Sequence, residues 1–317
     1  MFAGLLLLLA GGEGLVRGAS GVALVARLSP TIVGLTIVAA GTSMPELVVS
    51  VRSALAGSPG LAIGNVVGSN IFNIAAILGV AACVHPLRAP SATVRNETPI
   101  MVAAALALTV CVFDRRVSSL EGAALLSAMM LFLGIAVWRE KTRGIAPEVA
   151  TATDLTTADF GRTGSVGATL NVGAMILGVG LLALGSHLLV LGAKAIALRA
   201  GISEAVIGLT IVAAGTSMPE LVTSLVAALR GRDDLAVANV LGSNIFNVFG
   251  IAGLTAVIHP LPVPEEIVTR DVYWMCGLSL VLVPIMWTGK QVSRAEGAFL
   301  LLVFLVYMGV LLASLTG

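Results

Sequence analysis

Two glutamates, Glu46 and Glu220, interrupt long apolar stretches, each directly after a proline and three residues after a serine. Both close the sequence GTSMPE, inside a segment, Gly34–Leu47, that recurs letter for letter at Gly208–Leu221. Proline has no N–H, and its ring clashes with the carbonyl four residues back. A helix through the first copy should therefore break at 41–45 and leave carbonyls around Ala39–Gly41 without helical donors. Hydrocarbon cannot satisfy such carbonyls, whereas a bound cation can. Thr42 and Ser43 lie four and three residues before Glu46, close to the carboxylate on a helical surface.

The next apolar stretch carries Asn65, Ser69 and Asn73 at i, i+4 and i+8, a stripe of neutral oxygens on one helix face. The second half repeats the set as Thr216, Ser217 and Glu220, then Asn239, Ser243 and Asn247. Brought together, these groups form a cage of carboxylates, hydroxyls, amide oxygens and backbone carbonyls, with no His or Cys. Oxygen-only ligation suits hard cations such as Ca²⁺ and Na⁺, not zinc or copper. Two carboxylates at mid-membrane cost roughly a few kcal/mol each unless partnered, and a divalent cation would neutralise the pair.

Taken singly, each neutral residue has a plainer explanation. A lone Thr or Ser in a membrane helix bonds its own backbone, and a lone Asn joins helices. What sets this group apart is its register, because every member has a counterpart 174 residues on, as do the flanking "HPL" at His85–Leu87 and His259–Leu261. Asn70 and Asn244 point off the stripe and read as helix–helix hydrogen bonders. Glu13, four residues before Arg17, reads as an i, i+4 ion pair near a helix end in preference to a role in ion access, and its counterpart His187 implies no symmetric site. His85 and His259 fit interfacial helix ends, and Trp138, Trp274 and Trp287 fit interfacial anchors. Cys83, Cys111 and Cys276 match no metal spacing and read as small core residues.

The elements that must hold these residues are membrane helices. Hydrophobic residues make up 57% of the chain and charged ones only 11%, against about a quarter charged in soluble domains. Mean hydropathy is +1.03, and a net charge of +1 gives no basic surface for nucleic acid. The apolar N-terminus lacks a basic region before its run and a clear cleavage site, so it reads as a first membrane helix rather than a signal peptide. Apolar runs predict an all-α membrane protein with helices near 3–26, 31–55, 60–84, 98–113, 118–138, 168–197, 205–229, 234–257, 270–287 and 294–315. The expected organisation is a first five-helix repeat at 1–138, a polar linker at 139–167 with its most polar part at Arg139–Gly164, and a second repeat at 168–317. Five is odd, so the second repeat enters the membrane from the opposite side, an inverted repeat of the kind found in transporters. With both termini outside, most loop Lys and Arg fall inside, among them Arg27, Arg88, Arg139, Lys141 and Arg143, as the positive-inside rule asks.

With those residues in view, the chain resembles the calcium/cation antiporter superfamily, in its sodium/calcium exchanger branch. The resemblance rests on GTS-x-PE and GN-x-x-GSN-x-x-(N/D), present in both halves as GTSMPE with GNVVGSNIFN and GTSMPE with ANVLGSNIFN. It implies that Glu46 and Glu220 are the principal cation ligands. Thr42, Ser43, Ser69, Asn73, Thr216, Ser217, Ser243, Asn247 and the carbonyls of Ala39 and Ala213 would complete the sites. It further implies one Ca²⁺ or several Na⁺ bound in turn, alternating access, and gating by sliding of the helices at 3–26 and 168–197. Ala238 replaces the glycine found at Gly64 and implies a packing adjustment. Asn247, where potassium-dependent relatives carry Asp, argues against potassium co-transport. The absence of an acidic residue after Asn65 and Asn239 argues against proton as the main counter-ion.

The expected function is a secondary antiporter of Na⁺ and Ca²⁺ with no cofactor, catalytic residue, nucleic-acid partner or obligatory protein partner, set in a prokaryotic plasma membrane. More Na⁺ than the two carboxylates balance would make exchange electrogenic. Rival readings are a proton-coupled Ca²⁺ antiporter using the same glutamates, and a cation channel with those glutamates in a charged filter. An intramembrane metalloenzyme is disfavoured by the lack of HExxH.

Overall fold

The computed structural model describes residues 1–26, 28–143, 165–199 and 213–316. Its helices are α1 (Phe2–Ala26), α2 (Pro30–Thr42), α3 (Met44–Leu55), α4 (Pro59–Val84), α5 (Ser91–Cys111), α6 (Ser119–Arg143), α7 (Ser165–Arg199), α8 (Ala213–Thr216), α9 (Met218–Leu229), α10 (Asp233–Ile258), α11 (Ile267–Gly289) and α12 (Arg294–Thr316). Eight of these are long and apolar enough to cross a membrane, and the bent pair α2–α3 makes a ninth. The chain is therefore an all-helical integral membrane protein. The expected span at 205–229 lies partly outside the described residues, and its described part is α8 and α9.

Several expected boundaries move outward. The helix expected at 98–113 starts at Ser91, because its polar first turns face protein, with Thr93, Val94 and Thr98 buried. Hydropathy reads such turns as loop. The helix expected at 270–287 likewise spans Ile267–Gly289. Arg139–Arg143 of the expected linker continue α6, since Arg, Glu and Lys are good helix formers. At the other end α7 begins at Ser165. The rest of the linker, 144–164, is outside the described residues.

α4 and α10 are the most enclosed spans, and both carry a π-helical turn, Phe72–Ile77 and Phe246–Ala252. Such turns re-aim side chains and are frequent at functional sites. Here they open at Phe72 and Phe246, one residue before the last members of the polar stripes, Asn73 and Asn247.

Contacts between the halves come in matched pairs. β1 (Leu87–Arg88) pairs with β4 (Gln291–Val292), and β2 (Arg116–Val117) with β3 (Leu261–Pro262), both antiparallel. The amide of Asn70 donates to Met275 Sδ at 3.7 Å, and that of its counterpart Asn244 to Met101 Sδ at 3.7 Å. Both asparagines thus join helices, as the sequence suggested. Beyond α5 the offset grows by one residue, as seen where Ser118 and Ser293 each cap a helix through Glu121 and Glu296.

α1 and α7 lie against each other along glycines. Gly4 meets Gly185 and Gly11 meets Gly178, each with its added Cβ only 2.8 Å from the partner's carbonyl oxygen. Glu13 of α1 pairs with Arg17, as expected, and also with Arg230 at the end of α9. Trp138 and Trp287 are exposed. Trp274 packs on Tyr307 with ring centroids 5.6 Å apart. Cys276 is buried and the other two cysteines half-buried, all free.

A Cβ on Gly178 would sit 2.6 Å from the backbone nitrogen of Leu15, while Gly173 on the same helix has open space around it. Gly178→Ala should therefore lower stability by about 1–3 kcal/mol through overpacking. Gly173→Ala should be neutral or stabilising by up to about 1 kcal/mol. Thermal unfolding of the two variants in detergent checks the difference.

Candidate cation site

The site is built at two broken helices. α2 and α3 meet at Ser43 with a bend of 45°, and α8 and α9 meet at Ser217 in the same backbone conformation. Each break follows from proline one residue into the second piece, so the carbonyls of Gly41 and Gly215 lose their i+4 donors. Glu46 and Glu220 consequently occupy the first turns of α3 and α9, where the helix dipole favours a carboxylate.

The expected carbonyl arrangement needs one correction. Ala39 O is not orphaned, because it accepts the Ser43 N–H at 3.0 Å and the Thr42 hydroxyl at 3.3 Å. Proline removes only the donor four residues after Gly41, and the turn before the break closes normally. Ala213 opens α8.

The side chains meet across the halves. Ser43 Oγ donates to Glu220 Oε1 at 2.7 Å, and Ser217 Oγ to Glu46 Oε1 at 2.8 Å. Each serine thus serves the opposite glutamate, not the one three residues along its own helix. Ser217 also reaches Ser69 Oγ at 3.2 Å, which draws α4 into the group. Thr42 Oγ1 lies 3.4 Å from Asn239 Oδ1. Asn73 Nδ2 donates to Asn244 Oδ1 at 3.4 Å.

Both glutamates are 1% exposed. Thr42, Ser43, Ser69, Asn73, Thr216, Ser217, Ser243 and Asn247 are buried with them. Among the described residues, Glu46 Oε2, Glu220 Oε2, Asn73 Oδ1, Asn247 Oδ1 and Ser243 Oγ are buried without a hydrogen-bond partner. Each of these five can act as an acceptor and belongs to the set read from the sequence, whereas other buried atoms in the same condition, such as those of Asn70, Thr93, Thr223 and Thr255, lie outside that set. Buried polar atoms are nearly always bonded, so these unpartnered acceptors on the broken and striped helices form a candidate set for cation contact. No cluster of three or more His, Cys, Asp or Glu is found among the described residues.

Asn65 and Asn239 play a part that the stripe alone did not disclose. Their amides donate to the carbonyls of Glu46 and Glu220, at 3.2 and 3.4 Å, and to Ser50 and Ser224, at 3.0 and 2.9 Å. They brace the carboxylate helices and do not leave orphaned oxygens. Ser50 and Ser224 were missed at the sequence level. The available signal was a serine four residues after each glutamate, in register across the halves.

Comparison with known proteins places the chain as a whole. The family described as "Sodium/calcium exchanger protein" matches residues 1–138 and 170–313. A "Putative antiporter CaxA" of Alkalimonas amylolytica is 38% identical over 98% of this chain and 97% of its own length. The "Sodium/calcium exchanger MaX1" of Methanosarcina acetivorans is 32% identical over 97% of this chain and 96% of its own. Among solved structures, the sodium-calcium exchanger NCX_Mj, soaked with Na⁺ and Ca²⁺, superposes with a TM-score of 0.82 at 28% identity, covering 98% of this chain and 96% of that one. The family match spans both broken helices and both polar stripes, so the chain belongs to the sodium/calcium exchanger family, a family of transporters.

Proposed function

We propose that the protein is a secondary antiporter that exchanges Na⁺ for Ca²⁺ across the membrane, with both ions competing for the cage between Glu46 and Glu220. The observation that carries this reading is the set of five buried oxygens without partners, on Glu46, Glu220, Asn73, Asn247 and Ser243. An enclosed cage of that kind suits a hard cation that sheds its water. The names of the relatives, one a sodium/calcium exchanger and one an antiporter, agree with it.

In this reading a Ca²⁺ substrate sits between Glu46 Oε2 and Glu220 Oε2, and its charge balances the two carboxylates. Ser43 and Ser217 keep the other carboxylate oxygens aimed across the pseudo-symmetric interface. Ser69, Ser243, Asn73 and Asn247 complete the shell, and Thr42 and Thr216 turn their hydroxyls onto Na⁺. The carbonyls of Ala39 and Ala213 join when the neighbouring threonine hydroxyl moves to the ion. Na⁺ in excess of the carboxylate charge leaves the loaded protein positive, so exchange is electrogenic. Asn247 in place of a carboxylate leaves no obvious charge for K⁺, so exchange is K⁺-independent.

The architecture we infer is ten spans in two inverted five-helix repeats, 1–138 and 168–317, joined by the polar linker at 139–167, with both termini outside a prokaryotic plasma membrane. Matched contacts such as β1–β4 with β2–β3 support a two-fold relation between the halves. The enclosure of the site supports alternating access, since an ion reaches it only when some helix moves.

Three sets of measurements follow. In proteoliposomes, a Na⁺ gradient should drive ⁴⁵Ca²⁺ uptake with or without K⁺, and an imposed membrane potential should change its rate. Uptake driven by a pH gradient alone would favour the proton-coupled reading, and flux with no counter-ion would favour a channel. Glu46→Gln and Glu220→Gln should each abolish most of the Na⁺-driven Ca²⁺ uptake, and full uptake in both would sink the proposal. Ser43→Ala and Ser217→Ala each remove one hydrogen bond to a charged group, so each should weaken Ca²⁺ affinity by about tenfold or more, read by calorimetry in detergent.

A further inference from the structure

α1 and α7 obey the two-fold relation in their contacts with each other, but not in their contacts with the broken helices. Between them, Gly4 with Gly185 and Gly11 with Gly178 are exchanged by the 174-residue offset. Against the breaks they differ. α7 lies on both: Val179 Cγ2 is 3.0 Å from a Cβ built on Gly41, and Val190 Cγ2 is 2.1 Å from one built on Gly215. The counterparts of these valines in α1 are Leu5 and Val16, and neither comes within 4 Å of such a Cβ. α1 instead sets Gly12 against Val222 of α9, 2.9 Å from the added Cβ.

A hydrogen bond accompanies this asymmetry. Ser186 Oγ, buried in α7, donates to Gly215 O at 2.5 Å. Gly215 O is the carbonyl that Pro219 deprives of its helical donor, so Ser186 supplies the missing bond. It does so two residues before Ser217, the hydroxyl that holds Glu46. The counterpart of Ser186 is Gly12, which has no hydroxyl to offer Gly41 O. Only one of the two breaks can therefore be capped in this way, and only while α7 occupies its present position.

We propose that Ser186 is a positioning residue that fixes the second break and biases the antiporter toward the access state seen here. The proposal rests on the exchange reading above. If the symmetric pair α1–α7 shifts across the breaks to reach the opposite state, the Ser186–Gly215 bond is lost and the first break gains no equivalent. The two states then differ in free energy by a bond that is not part of the cage. A site whose competent state is partly populated binds with an affinity reduced by that fraction, so the bias shows as unequal Ca²⁺ affinity at the two membrane faces.

The test uses the full-length protein reconstituted in one orientation, with half-saturating Ca²⁺ measured separately from each face. Ser186→Ala should change the ratio of the two values by about fivefold, the weight of one buried hydrogen bond, weakening one face and not the other. Ser186→Thr, which keeps the hydroxyl, should restore the ratio. Hydrogen–deuterium exchange should quicken over 216–221 in Ser186→Ala, and not over 42–47. Equal weakening at both faces, or an Ala variant matching the unmodified protein in both measurements, would overturn the proposal. Failure of the unmodified protein to couple Ca²⁺ to Na⁺ would refute the exchange reading instead. The exchange measurement would still decide whether Ser186 holds the break.

Discussion

A carboxylate removed from water needs charge or hydrogen bonds to replace what it loses, and this fold supplies each of its two glutamates with half of that requirement. One oxygen of Glu46 is held by Ser217 and one oxygen of Glu220 by Ser43, while the second oxygen of each has no hydrogen-bond partner. The rest of the structure follows from keeping that pair in place yet incomplete. Because each serine comes from the opposite half, neither half would make the proposed site alone, which accounts for a segment carried twice.

Placement depends on the breaks. A straight helix would give Thr42 and Ser43 to the same carboxylate. The proline-induced bend turns them outward so that the halves can exchange hydroxyls, while the glutamates gain the first turns of α3 and α9. Asn65 and Asn239 then tie those turns to α4 and α10 through the glutamate carbonyls. The π-helical turns at Phe72–Ile77 and Phe246–Ala252 carry Asn73 and Asn247. Rigid bracing of backbone with unfilled side-chain valence is the arrangement expected of a pre-organised ion site.

Much of this was legible in the sequence because it is written in strong local signals. Apolar runs identify membrane helices, proline fixes where a helix must break, and exact repetition in register marks Glu46, Ser69 and Asn73 with their partners. What could not be read was contact between segments distant in the chain. The crossing of Ser43 to Glu220, the role of Ser50 and Ser224, and the capping of Gly215 by Ser186 depend on how helices lie together, which a period of 3.6 does not specify. The carbonyl of Ala39 shows the opposite error: proline was credited with freeing more of the backbone than the single acceptor four residues before it. Hydropathy misplaced the start of α5 for a related reason, since a polar turn buried against protein looks the same as a loop.

The central claim is that Glu46 Oε2 and Glu220 Oε2 face one bound cation. Crystals soaked in strontium, a heavier stand-in for Ca²⁺, test it most directly through anomalous scattering. The account requires a strong peak between those two oxygens, with Asn73, Asn247 or Ser243 in its shell, that fades as Na⁺ is raised. A strontium peak elsewhere in the protein, with the glutamates bridged only to each other or to protein donors, would contradict it.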